Sequence, residues 1–346
     1  MVDDSLFMRG AISKLLNGNP RFEVVGQASD GAMAVQKVAK LRPDVVTMDF
    51  NMPIMNGVEA VRRIMQSHPT PIVMLSAHTT DGARETIEAL EHGAVDFITK
   101  PSGEVSSDIS RVGPELFARL QNAHTASVGR RSVSKSSAAA PKESPKDPLN
   151  GLLKPAKQPC SGRSVVIVGI STGGPAALAK MLPEIPRVTN MGLVIVQHMP
   201  PTFTTALAKR LDSLCRIKVS EAKDGDRVRE GTALIAPGGF HLEFGGDGAI
   251  CLTQSPPVNG CRPAADVTMK SAANVFRKNL VGVVMTGMGK DGAEGLSAIK
   301  SGGGRTFVQD RESCVIFGMP KACMDLGVVD EVVPLSSMAS TLNETC

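Results

Sequence analysis

The stretch SVVIVGISTGGPAALAKML, residues 164–182, decides how the second half of the chain is read. A β-branched run breaks into small residues at Gly169 and resumes as a helical pattern, so it describes a strand, a turn and a helix. A phosphate-cradling GxxxxGK[ST] loop needs a lysine after its last glycine, and Pro175 follows Gly174 here. A dinucleotide loop needs G-x-G-x-x-G and an acid about 20 positions on. The glycines are Gly169, Gly173 and Gly174, and the next strand ends in Gln197 and His198. What fits is G-x-S-x-G, with Ser171 lifted above a sheet edge by a strand-to-helix turn. Among 34 glycines that pattern alone is weak, and a serine capping the following helix is the plainer alternative.

Working outward, strand-like runs at 192–197, 216–222, 231–237 and 280–286 alternate with helical segments such as PPTFTTALAKRL. That alternation describes a parallel sheet whose strand ends share one edge. Ser171 follows the first strand, His198 the second, and Asp291 the strand at 280–286, within TGMGKDGAEG. Three side chains distant in sequence can therefore converge. His198 would take the serine proton, and Asp291 would orient the imidazole. Beyond the linker the other histidine is His241, the weaker base because it starts a strand. Backbone N–H groups near Ser171 and in GMG at 287–289 could hold an oxyanion.

The first 123 residues repeat the α/β logic, with strand runs at 22–28, 44–50, 71–77 and 96–101. Asp3, Asp4, Asp49, Ser76 and Lys100 stand at strand ends. Three carboxylates at one edge repel unless a cation lies among them, and hard oxygen ligands suit Mg²⁺. A lysine and a hydroxyl beside them could hold a phosphoryl group. Taken singly, the acids read as helix caps and Lys100 as a surface lysine.

Between the halves, residues 121–163 turn to Ser, Ala, Pro and Lys without apolar periodicity, which is linker composition. The segment carries eight Lys or Arg against two acids, a net of +6, and the whole chain carries +4, so the remainder is −2. A nucleic-acid-binding folded face is therefore disfavoured. Seven cysteines without a CxxC pair suit reduced thiols in a cytoplasmic protein. No apolar stretch approaches the 18 or so residues of a membrane span, and the acidic N-terminus does not read as a signal peptide.

The first half resembles the receiver domain of two-component response regulators, through DDS at 3–5, PDVVTMDFNMPIMNG at 43–57, LSA at 75–77 and FITKP at 97–101. The resemblance implies that Asp49 accepts a phosphoryl group from a sensor histidine kinase. Asp4, Asp49 and the Asn51 carbonyl would hold Mg²⁺ with Asp3 nearby, Ser76 and Lys100 would contact phosphate, and Phe97 would move with Ser76. Receivers of this pattern open with an apolar strand, whereas only Met1 and Val2 precede Asp3. The expectation is a largely missing first strand, a marginal receiver and a natural start upstream of Met1.

The second half is similar to the CheB family of chemotaxis protein-glutamate methylesterases, through GISTGGP, VQHMPPTFT, LIAPGGFHL, CRPAADVTMKSAA, MTGMGKDGAEGL and FGMP. That resemblance implies ester hydrolysis and glutamine deamidation on methyl-accepting chemoreceptors. It assigns catalysis to Ser171, His198 and Asp291, with Thr172 and Met288 near the oxyanion and no cofactor for ester hydrolysis. The expected organisation is a flavodoxin-like receiver at 1–123, a flexible basic linker at 124–163 and a Rossmann-like catalytic domain at 164–346. Both folded parts are doubly wound parallel-sheet α/β domains. The receiver is expected to dock over the Ser171 edge and to leave it on phosphorylation. A non-catalytic receptor adaptor and a DNA-binding response regulator are the alternative readings, with nucleic-acid binding and membrane insertion not expected.

Overall fold

The computed structural model describes residues 1–76, 79–100, 109–126, 128 and 164–346. The expected linker lies, beyond residue 128, outside the described residues. The first unit contains β1 (Val46–Asp49), β2 (Ile72–Ser76) and β3 (Asp96–Thr99), paired in parallel in that order. Between and around them lie α1 (Leu6–Asn17), α2 (Gly31–Leu41), α3 (Gly57–Ser67), α4 (Thr80–Glu91) and α5 (Ile109–His124). Local chemistry sets the helix starts: Ser5, Asp30, Asn56 and Thr79 each cap one with a side-chain oxygen.

One expected strand is absent. Residues 22–27 form no ladder, and only Ala28 bridges Val2, which also bridges Met48. Residues 1–3 thus enter the sheet centrally, donating from Val2 N–H to Thr47 and from Asp3 N–H to Ala28. Alongside 22–27 and 43–47 lies a cavity of about 410 Å³. Alternating apolar residues make a strand only where a neighbour supplies the ladder, and Val24 faces this space instead.

The second unit is a seven-stranded parallel sheet, ordered Glu331–Val333, Arg305–Gln309, Leu280–Val284, Ser164–Ile170, Met191–Gln197, Thr232–Ile235, Lys218–Glu221. In chain order these strands are β4 (164–170), β5 (191–197), β6 (218–221), β7 (232–235), β10 (280–284), β11 (305–309) and β12 (331–333). The strand expected to start at His241 is β8 (His241–Phe244), which pairs with β9 (Ile250–Thr253) in a separate antiparallel hairpin; β9, β11 and β12 were not expected. β4 and β5 are buried along their whole length, as a central parallel strand requires. Helices α6 (Gly174–Met181), α7 (Phe203–Leu214), α8 (Ala265–Phe276) and α9 (Ala293–Ser301) cover the faces.

The two units share an apolar core that runs from β3 and α4 into α6 and α7. The Phe97 ring stacks on Phe203 with centroids 4.5 Å apart. At the rim Arg210 makes a bidentate pair with Glu91 at 2.8–3.1 Å.

Candidate active site

Strand ends converge as the alternation implied. Ser171 follows β4 and its N–H donates to Thr286 C=O at 3.0 Å, while His198 follows β5 and donates its N–H to Ile170 C=O at 3.1 Å. Gln197 Nε2 holds the Ser171 carbonyl at 2.9 Å. The turn is tight because it carries no bulk. A Cβ on Gly287 would stand 2.7 Å from Ser171 Cβ, and Gly173 sits at φ +79° against Val315.

His198 Nε2 lies 2.7 Å from Asp291 Oδ2. Burial works to lower the imidazole pKa, but hydrogen bonds to Asp291 and to Cys261 outweigh it and raise the value to about 9. Burial pushes Asp291 up, and the hydrogen bond and charge of His198 together with the Asp266 and Ala265 N–H groups more than compensate, leaving it below the usual carboxylate range. The imidazole therefore holds its proton at neutral pH in this arrangement. Among the described residues no hydrogen bond joins the Ser171 hydroxyl to His198, although both line one cavity. His241 is fully buried, its Nε2 against Pro256 C=O at 3.1 Å, and takes no part.

The first unit closes that cavity. Leu90, Asp96, Phe97 and Arg119 line it opposite Ser171, Thr172 and His198. Thr172 Oγ1 donates to Asp96 Oδ2 at 2.9 Å, and Arg119 holds the other oxygen of Asp96 at 2.6 Å. Met288 is half exposed, on the loop after β10. Sequence reasoning gave no role to Asp96, Arg119, Gln197 and Cys261, nor to Asn259 and Asp266, which hydrogen-bond to each other and to Asp291. Gln197, Cys261 and Asp266 lay within the motifs of the resemblance, but nothing in the spacing gave them a role.

At the receiver's own strand ends, Lys100 Nζ bridges Asp3 at 2.9 Å and Asp49 at 2.8 Å. Burial raises the Asp49 pKa, opposed by Lys100. One carboxylate oxygen each from Asp3, Asp4 and Asp49 can lie within 4.8 Å of the others. That donor set of hard oxygens fits a magnesium ion. Ser76 is buried and accepts a 2.8 Å bond from Thr86 Oγ1. Asn51 is exposed, just past β1.

No helix among the described residues is long and apolar enough to cross a membrane. The six described cysteines are free.

Residues 166–342 match the family model for CheB methylesterase, and residues 1–106 match that for the response regulator receiver domain. A protein-glutamate methylesterase/protein-glutamine glutaminase of Symbiobacterium thermophilum is 44% identical over 346 residues, covering 99% of this chain and 95% of the relative. One of the same name from Pyrococcus abyssi is 46% identical over 347 residues, covering 99% and 91%. The crystal structure of the Thermotoga maritima CheB methylesterase catalytic domain is 41% identical with a TM-score of 0.51, covering 54% of this chain and all of that one. The chain belongs to the CheB family of protein-glutamate methylesterase/protein-glutamine glutaminases, hydrolases of chemotaxis that join a response-regulator receiver to a catalytic α/β domain.

Proposed function

We propose that the chain hydrolyses γ-glutamyl methyl esters of methyl-accepting chemoreceptors through Ser171, His198 and Asp291. The 2.7 Å His198–Asp291 bond beside the Ser171 turn carries this reading. The neutral form of His198, the minor one at neutral pH in the resting arrangement, accepts the proton as Ser171 Oγ attacks the ester carbonyl, and Asp291 stabilises the imidazolium. Main-chain N–H groups near Thr172 and Met288 receive the oxyanion. The tetrahedral intermediate collapses, methanol leaves with the proton from His198, and water repeats the sequence on the acyl-enzyme to give glutamate. With glutamine as substrate, ammonia leaves instead. No metal enters these steps, because the serine pathway supplies base, nucleophile and oxyanion donors from the chain itself.

Control comes from the receiver. Asp49 takes a phosphoryl group from a sensor histidine kinase, with Asp4, Asp49 and the Asn51 carbonyl as magnesium ligands and Asp3 beside them. Magnesium supplies charge neutralisation for that transfer. Ser76 and Lys100 bind the phosphoryl oxygens, which draws Lys100 from its pairs with Asp3 and Asp49. Residues 96–100 are one continuous run, so a change at Lys100 reaches Asp96 and Phe97, which touch Thr172 and Phe203. The receiver then leaves the site. The test is methanol release from methylated receptor, with and without a small phosphodonor. Release that phosphodonor stimulates and Ser171→Ala eliminates is expected; release unaffected by Ser171→Ala overturns the assignment.

A further inference from the structure

The loop before α8 places Asn259 between two buried acids. Asn259 Nδ2 donates to Asp266 Oδ2 at 2.9 Å and to Asp291 Oδ1 at 3.2 Å. Its backbone sits at φ +52°, in the left-handed region that asparagine tolerates better than most residues. Asp266 and Asp291 are each 2% exposed, and adjacent carboxylates in such a place repel.

The donors around them are apportioned oxygen by oxygen. Asp291 Oδ2 receives His198 and the Ala265 N–H at 2.6 Å, while Oδ1 receives the Asp266 N–H at 3.1 Å and the Asn259 amide. Asp266 Oδ1 receives the N–H groups of Gly292 and Gly295 at 2.9 and 2.7 Å, leaving Oδ2 to Asn259. A cation at position 259 would neutralise Asp291 and weaken its hold on an imidazolium. A neutral amide with two N–H groups satisfies both acids and leaves the charge on Asp291 available to His198.

We propose that Asn259 is a positioning residue for His198: its side-chain amide ties Asp291 to Asp266 and fixes which carboxylate oxygen faces the imidazole. The proposal rests on reading Ser171, His198 and Asp291 as the hydrolytic triad. Several other titratable or charged groups surround this cluster. Cys261 lies beside the imidazole, Lys270 acts on Asp266, and Cys323 feels both acids. Asp96 and Arg119 of the receiver share the cavity with His198. Unlike these groups, Asn259 donates to both acids without carrying charge.

The test uses the full chain with Asn259→Gly, which keeps the left-handed backbone and removes the amide, and Asn259→Asp, which keeps the shape and removes the donors. Two readouts are taken: kcat and KM for methyl-ester hydrolysis, and the NMR titration of the His198 ring, which needs no substrate. Both variants are expected to lose roughly tenfold in kcat with KM within about twofold. The His198 midpoint should move by about half a unit or more in Asn259→Gly, because Asp291 keeps only its main-chain donors and its charge and orientation toward the imidazole change. An Asn259→Gly enzyme with wild-type kcat and an unmoved His198 midpoint overturns the proposal. Should that variant fail to fold, Asn259→Asp decides: kcat within about twofold of wild type overturns the proposal. If the wild type proves to hydrolyse nothing through Ser171 while Asn259→Gly still moves His198, the triad reading fails and the positioning stands.

Discussion

Thr172 and Asp96 belong to different domains, yet the threonine hydroxyl donates a 2.9 Å hydrogen bond to the aspartate carboxylate. The residue next to Ser171 is thereby engaged by the receiver, and Arg119 pairs with the same carboxylate. Asp96→Ala removes the acceptor without touching the catalytic domain. We expect unstimulated ester hydrolysis to rise about fivefold or more, in the range of ordinary coupling between sites. Deleting residues 1–150 should do at least as much. Steady-state methanol release measures both, and a truncated enzyme no faster than the intact one would refute inhibition by docking.

Ser171→Ala should lower hydrolysis by about 10⁴-fold or more, as loss of a triad nucleophile does. EDTA should leave hydrolysis by a 164–346 fragment unchanged. A chelator-sensitive fragment would show that a metal takes part.

Proton uptake at His198 sets a pH dependence in two quantities. General-base catalysis needs the neutral ring, so kcat/KM of the resting enzyme should climb with pH and level off above about 9. For stability the sign is opposite. The folded value lies above the unfolded value of about 6.5, so the His198–Asp291 pair contributes fully below that pH. Its contribution is lost as pH rises through about 9. Thermal melts from pH 6 to 10 should show a decline that His198→Gln flattens.

Asp49→Asn removes the phosphoryl acceptor and one partner of Lys100. The variant should keep basal hydrolysis and lose the response to phosphodonor. Withholding magnesium should do the same to the unmodified chain. A stimulated Asp49→Asn enzyme would place the acceptor elsewhere.

The parallel sheets were legible because buried β-branched runs such as 164–170 and 191–197 alternate with helical patterns, and a parallel sheet puts their ends on one edge. That rule brought Ser171, His198 and Asp291 together from three distant places. It failed at 22–28, where the apolar pattern is genuine but the neighbouring ladder is not there to pair with. β11 and β12 are short and follow no cue beyond ordinary apolar content. Asn259 was illegible for another reason: its role depends on a loop that folds back over two acids, and a loop has no period. Asp96 and Arg119 depend on domain contact, which local sequence does not encode.

The stacked rings of Phe97 and Phe203 give the closed enzyme a thermal character. Both rings are almost wholly buried where the domains meet, so apolar contact supplies much of what holds the receiver in place. Such contact draws on the cohesion of water and weakens on cooling. Under the proposed inhibition by docking, the resting enzyme should therefore be shut most firmly when warm. In the cold, a larger share of the molecules should then stand open without any signal.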